Sequence, residues 1–152
     1  MKTTAVDSNH PLISNSFVTC YSDYLAIHLY YFPFGKKKVK YNNIVSCELH
    51  SMDDIGIFEC KLWGMSLSPI WWHCDMRRLG RKYYILLDAG QWPLIGLTMN
   101  DNDIINVYHF IKQRISSNQS SVYYEKYLYN PLQTVSEKEL EHQKYLQNVK
   151  KN

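Results

Sequence analysis

The sequence predicts a mainly β domain of about seven antiparallel strands, then one amphipathic helix and a C-terminal extension. Three observations carry this. Short apolar and aromatic runs recur between Phe17 and Met99, broken by turn residues such as Pro33-Phe34-Gly35 and Ala89-Gly90-Gln91. Helical spacing of apolar residues is clear only after Asn100. From Ser116 onward the composition turns polar and serine-rich. A length of 152 residues fits one domain plus a tail. A chain of that size buries roughly two-thirds of its unfolded surface.

Residues 1–16 are polar, carry Pro11, and read as a flexible lead-in. Phe17 to Tyr21 forms a first strand, with Ser22-Asp23 as a turn. Tyr24 to Phe32 is the second. Alternation puts Leu25, Ile27, Leu29 and Tyr31 on one face and Ala26, His28, Tyr30 and Phe32 on the other. Both faces are largely apolar, as in a strand covered on both sides. Pro33-Phe34-Gly35 breaks the run, Lys36 to Tyr41 resumes it, and Asn42-Asn43 bends the chain into Ile44 to His50. Residues 51–68 form a long loop whose Ile55, Ile57, Phe58, Leu62 and Trp63 are expected to pack over one end of the core. Pro69 to Cys74 is a strand, and Arg77 to Lys82 a basic turn around Gly80. Tyr83 to Asp88 is the clearest β-run. It turns through Ala89-Gly90-Gln91 into Trp92 to Met99, where Pro93 marks a sheet edge or strand start.

Asn100 suits a helix N-cap and Asp103 the first turn, where amide N–H groups lack partners. Ile104, Tyr108, Ile111 and Ile115 follow at helical spacing, joined by Ile105 and Val107. Residues 116–121 read as a linker. A tyrosine cluster (Tyr123, Tyr124, Tyr127, Tyr129) comes next, then Ser136 to Glu139 with capping-box spacing. The apolar face of 137–149 is thin, so that segment is expected to be helical only against a partner. The organisation is therefore a lead-in at 1–16, a domain at 17–115, and a linker and tail at 116–152.

This element order fits a small open barrel or a β-sandwich. Its details add a resemblance. Asp23-Tyr24-Leu25, the Phe34-Gly35 turn, the step Val39-Lys40-Tyr41-Asn42-Asn43-Ile44, Trp63-Gly64, the late hairpin and the helix resemble bacterial-type pleckstrin-homology (PH) domains from Phe17 to Ile115. The resemblance implies a PH-like small barrel with one C-terminal helix. It also implies a scaffold that serves lipid-headgroup binding, protein docking or assembly, and not one chemistry. The lipid-binding signature of eukaryotic PH domains places Lys and Arg on the first strand pair and its turn. Here lysines flank a hairpin turn, but the strand lacks arginine.

A net charge of +3 does not by itself imply nucleic acid; the placement of charge matters more. Lys36, Lys37, Lys38 and Lys40 form one basic turn, with Lys36, Lys38 and Lys40 expected on one face. Arg77, Arg78, Arg81 and Lys82 form a second. If both lie at one end they make a patch for an anionic headgroup or an acidic protein. The bland reading is solvated turns that protect a strand edge. Trp71 and Trp72 point to opposite faces, so one belongs to the core and the other is free to anchor an interface. Tyr123, Tyr124 and Tyr127 extend that interface. Nucleic acid is not expected, because no RNP-like motif accompanies the aromatic residues.

Cys20, Cys47, Cys60 and Cys74 form no CxxC pair and match no common zinc spacing, so reduced thiols are expected. His73-Cys74-Asp75 suggests nucleophilic chemistry, but strand neighbours point to opposite faces and a triad is a matter of geometry. No phosphate loop, HExxH or GxSxG occurs. A non-enzyme without cofactor or metal is expected, with an enzyme or metal protein using Cys47, Cys60, His73 and Cys74 as the alternative from another class. The N-terminus has no apolar signal core and no run nears ~20 apolar residues. The expected protein is intracellular, cytoplasmic or peripheral at a membrane, and it docks a protein partner or an acidic membrane surface.

Overall fold

A computed structural model describes residues 10–56 and 58–128, with 119–128 as backbone. The chain divides into two compact units at Ile115 and Ser116. Among the described residues nine strands make two sheets. The first holds β1 (Ile13–Ser14), β2 (Val18–Cys20), β3 (Tyr24–Tyr31) and β4 (Gly35–Lys40), paired antiparallel in chain order. The second holds β5 (Ser46–Ser51), β6 (Gly64–Met65), β7 (Ile70–Trp72), β8 (Tyr83–Asp88) and β9 (Leu94–Leu97) in the order β5-β8-β9-β7-β6. The helix α1 spans Asp101–Leu128.

The fold is mainly β with one C-terminal helix, as expected, but four details differ. Ile13 and Ser14 leave the lead-in and pair with β2, because the Leu12 N–H reaches the Cys20 carbonyl and Ile13 packs on the core. The long loop contributes β6. β7 runs parallel to β9, a pairing that needs a crossover, here supplied by the segment that contains β8. The strands accordingly form two separate sheets and not one closed barrel of antiparallel strands. The serine run expected as a linker is helical, so α1 passes Ser116 without a break.

One core joins both sheets and the helix. Val18, Leu25, Ile27 and Val39 of the first sheet meet Ile85, Leu87, Ile95 and Leu97 of the second. Ile104, Val107, Ile111 and Ile115 of α1 close it, and Tyr108 is only half-buried. Leu25, Ala26 and Ile27 are buried in succession, so β3 is covered on both sides here. Beyond Ile27 the β3–β4 register shifts, and Leu29 takes a φ of 51°. The bulge ends the cover expected on both faces: Tyr30 is buried and Tyr31 is exposed. It also frees the Leu29 carbonyl to accept the Cys74 N–H at 3.0 Å.

Candidate functional site

The feature that organises the candidate site is a buried polar latch. His73, Asp75, Arg78 and Thr98 are all buried. His73 and Asp75 follow β7 two residues apart, so both point inward. The Arg78 guanidinium donates to the carbonyls of Lys61 and His73, and its Nε donates to Thr98 Oγ1 at 3.2 Å. It also lies 4.8 Å from the centre of the Trp72 ring. Thr98 Oγ1 donates to Asp75 Oδ2 at 2.7 Å, and the Thr98 N–H donates to His73 Nε2 at 3.0 Å. Arg81 adds Nε to Asp75 Oδ2 at 3.0 Å and Nη1 to Asn100 Oδ1 at 2.7 Å.

The electrostatics follow from this geometry. Burial drives the His73 pKa down to about 3, helped by the Arg78 charge. The ring is neutral, and its Nε2 is an acceptor occupied by a backbone N–H. Burial pushes the Asp75 carboxyl up, but donors from Arg81, Thr98 and the Arg77 N–H outweigh this and hold it below the usual carboxylate range. Burial lowers Arg78 to about 10, still charged at neutral pH. The arrangement is a mostly buried ion and hydrogen-bond network that reaches the surface through Arg81 and leaves His73 Nδ1 without a hydrogen-bond partner. Cys20 and Cys47 are buried and Cys60 and Cys74 half-buried, all as free thiols. Among the described residues no group of three or more His, Cys, Asp or Glu could hold a metal ion.

The latch ties two surface segments together, and two tryptophans beside it hold a third. Arg78 holds the carbonyl of Lys61, and the Asp75 N–H reaches the Leu62 carbonyl at 3.0 Å. The third segment is the β3–β4 hairpin tip. Phe32 contacts the Trp63 ring at 5.2 Å, and the Trp63 and Trp71 indole N–H groups both donate to the Tyr30 carbonyl, at 3.2 and 3.1 Å. Gly35 is required at the tip, because a Cβ there would fall 2.6 Å from the Tyr31 Cβ. The side chains that these segments leave in solvent are large and apolar: Phe32 is 82% exposed, Phe34 79%, Met76 74% and Leu79 73%.

The expected site residues separate on this frame. Lys36, Lys38 and Lys40 are exposed on one face of β4, as alternation required. Lys37 is half-buried with its ammonium 5.1 Å from the centre of the Tyr30 ring, and Lys38 lies at 5.1 Å over Tyr24. Of the second basic turn, Arg77 and Lys82 are exposed, and Lys82 approaches Asp101 at 3.8 Å. Arg78 is withdrawn from the surface altogether, which corrects its place in a basic patch: its donors are consumed by interior acceptors. Arg81 is likewise engaged with Asp75. Trp72 is core, where its ring lies against Gly96, while Trp71 is half-buried. Tyr123, Tyr124 and Tyr127 fall within α1, but their side chains lie outside the described residues, as does the expected segment at 137–149.

Asn100 stands just before α1, and its side-chain oxygen serves Arg81. Between them, with Gly80, Asp101 and Asn102, is a shallow open depression of about 380 Å³. Sequence reasoning did not single out Phe32, Phe34 or Met76, although aromatic residues on both sides of a proline inside a turn were a visible signal. It also missed Thr98, whose role depends on long-range pairing. Comparison with protein-family models, curated proteins and solved structures finds no match to this chain.

Proposed function

We propose that the chain is a PH-like, non-catalytic docking domain whose contact surface is the end formed by the β3–β4 tip and the loops around Leu62 and Met76. Two sheets sharing a core with a terminal helix support the PH-like reading. Nine strands and the parallel β7–β9 pair depart from the antiparallel meander of that fold. One observation carries the docking role: large apolar side chains stand in solvent on loops that a buried latch holds in place. Exposed apolar side chains on ordered loops suit a contact surface. Catalysis has little support, because the His73 and Asp75 groups serve the latch.

The test is fractionation of a cell extract containing the full chain. The wild type is expected in a particulate or high-mass fraction, and F32S/F34S/M76S in the free fraction near 18.0 kDa. Wild type and variant together in the free fraction would overturn the reading.

A further inference from the structure

We propose that the outward face of the first sheet binds an unpaired, single-stranded segment of nucleic acid. Leu25, Ile27 and Val39 point into the core, so their neighbours along each strand point outward. Ser14 pairs with Thr19, Thr19 with Ala26 and Ala26 with Lys38, which puts all four in one outward row. Tyr24 and Lys40 make the next row. Tyr21 extends it, with its ring stacked on Tyr24 at 4.5 Å between centres. Thr19 and Ala26 are buried and form a floor between the half-buried tyrosines and the exposed lysines. The face has no contiguous motif, because pairing and not adjacency in sequence brings Tyr24 to Lys38 and Lys40.

The charge on this face is one-sided. Residues 10–43 hold four lysines and a single acid, Asp23. Lys37 leaves the face for the Tyr30 ring. Asp23 precedes Tyr24, so it offsets Lys40 more than Lys36 or Lys38, and its carboxylate accepts from Ser22 Oγ at 3.2 Å. Among the described residues no ion pair involves Lys36, Lys38 or Lys40. Alternate residues of a strand stand about 7 Å apart, comparable to the phosphate spacing of an extended single strand. Edge protection accounts for the lysines but not for the tyrosine pair beside them.

Lys38 holds its ammonium 5.1 Å from the centre of the Tyr24 ring. A phosphate draws that ammonium off the ring and opens the ring face to a base. Stacking of a base on an aromatic side chain is worth more than the exposed cation it displaces. The bases of a duplex are already stacked, so the unpaired strand is favoured. A lipid headgroup meets the lysines but brings no planar group to the ring.

The experiment is fluorescence anisotropy of the full chain with labelled oligothymidylate and oligouridylate of about 15 nucleotides. Binding to either is expected, and the tighter of the two identifies DNA or RNA as the source. The logarithm of Kd should rise with the logarithm of salt concentration at a slope of about 2, as three lysine–phosphate contacts require. K36E/K38E should bind at least about tenfold more weakly and melt with the wild type, since both side chains are exposed. Y24L should lose about fivefold or more and Y24F little, because stacking needs the ring and not the hydroxyl. F32S/F34S should bind as the wild type does, which separates this face from the hairpin tip. Failure of the wild type to bind either oligonucleotide, equal binding by folded Y24L, or loss of binding in F32S/F34S would overturn the proposal. Sedimentation with phosphatidylserine vesicles and no binding to oligonucleotide would overturn it too, and would assign the lysines to a membrane surface.

Discussion

The Arg78 guanidinium packs face-on over the Trp72 ring, 4.8 Å from its centre, with both side chains fully buried. A cation so placed is held by cation–π attraction and by three acceptors from separate parts of the chain. R78L should therefore destabilise the fold by about 3 kcal/mol, because it leaves the Lys61 and His73 carbonyls and the Thr98 hydroxyl without their donor. R78K should recover little, since an ammonium cannot span these acceptors as the planar fork does. Chemical denaturation of both variants checks this.

Gly96 constrains Trp72 as well. A Cβ on Gly96 would fall 2.4 Å from Trp72 Cε3, against a ring with no free space to enter. G96A should cost about 3 kcal/mol, near the upper end for overpacking. G80A is the control: a Cβ at Gly80 meets nothing within 4 Å, so its melting temperature should stay close to that of the wild type.

Acid should destabilise the fold through His73. Its folded pKa is depressed to about 3, against about 6.5 in an unfolded chain. The stability tied to the neutral ring is complete above the unfolded value and is lost as pH falls toward the folded one. Asp75, also depressed, adds its loss at lower pH, below the ordinary aspartate range. His28 is lowered too, chiefly by burial, and acts in the same direction as His73. Melting temperature measured from pH 7 downward should fall, and H73Q should flatten that fall relative to H28Q.

Thiol chemistry should be selective. Burial pushes the Cys20 thiol up to about 11 and the Cys47 thiol up to about 12, so neither forms thiolate near neutral pH. In the native protein a thiol-reactive reagent should modify Cys60 or Cys74 and spare Cys20 and Cys47 until denaturant is added. Peptide mapping by mass spectrometry identifies the labelled sites.

Gly35 offers a local test of the tip. G35A places a methyl group against the Tyr31 side chain, so the hairpin end must shift. G35A should lower the melting temperature less than G96A, because a hairpin tip at the surface can shift where the buried Trp72 ring cannot. Thermal melts of the two variants check this.

Local pattern sufficed where neighbours in sequence decide the outcome. Tyr83–Asp88 forms the strand its apolar run requires, and Ile104, Ile111 and Ile115 face the core as their spacing demands. Pattern failed where partners are distant. The parallel β7–β9 pair leaves no local signal, and Ile13–Ser14 is too short to show a period. The Leu29 bulge leaves Tyr30 buried and Tyr31 exposed, an effect invisible to strict alternation. Arg78 looked like its neighbour Arg77, because only the folded chain supplies the interior acceptors that separate them. The exposed half of the candidate site was partly legible in the lysines of β4, and the buried half was not.

The Tyr30 carbonyl that accepts both indole protons also gives the protein an intrinsic optical gauge. Trp63 hangs from that oxygen and leans on Phe32, so its emission colour depends on the medium around the hairpin tip. Trp72, sealed in the interior, supplies a steady reference. Arrival of any occupant at the tip can thus be followed by ultraviolet fluorescence without attaching a dye.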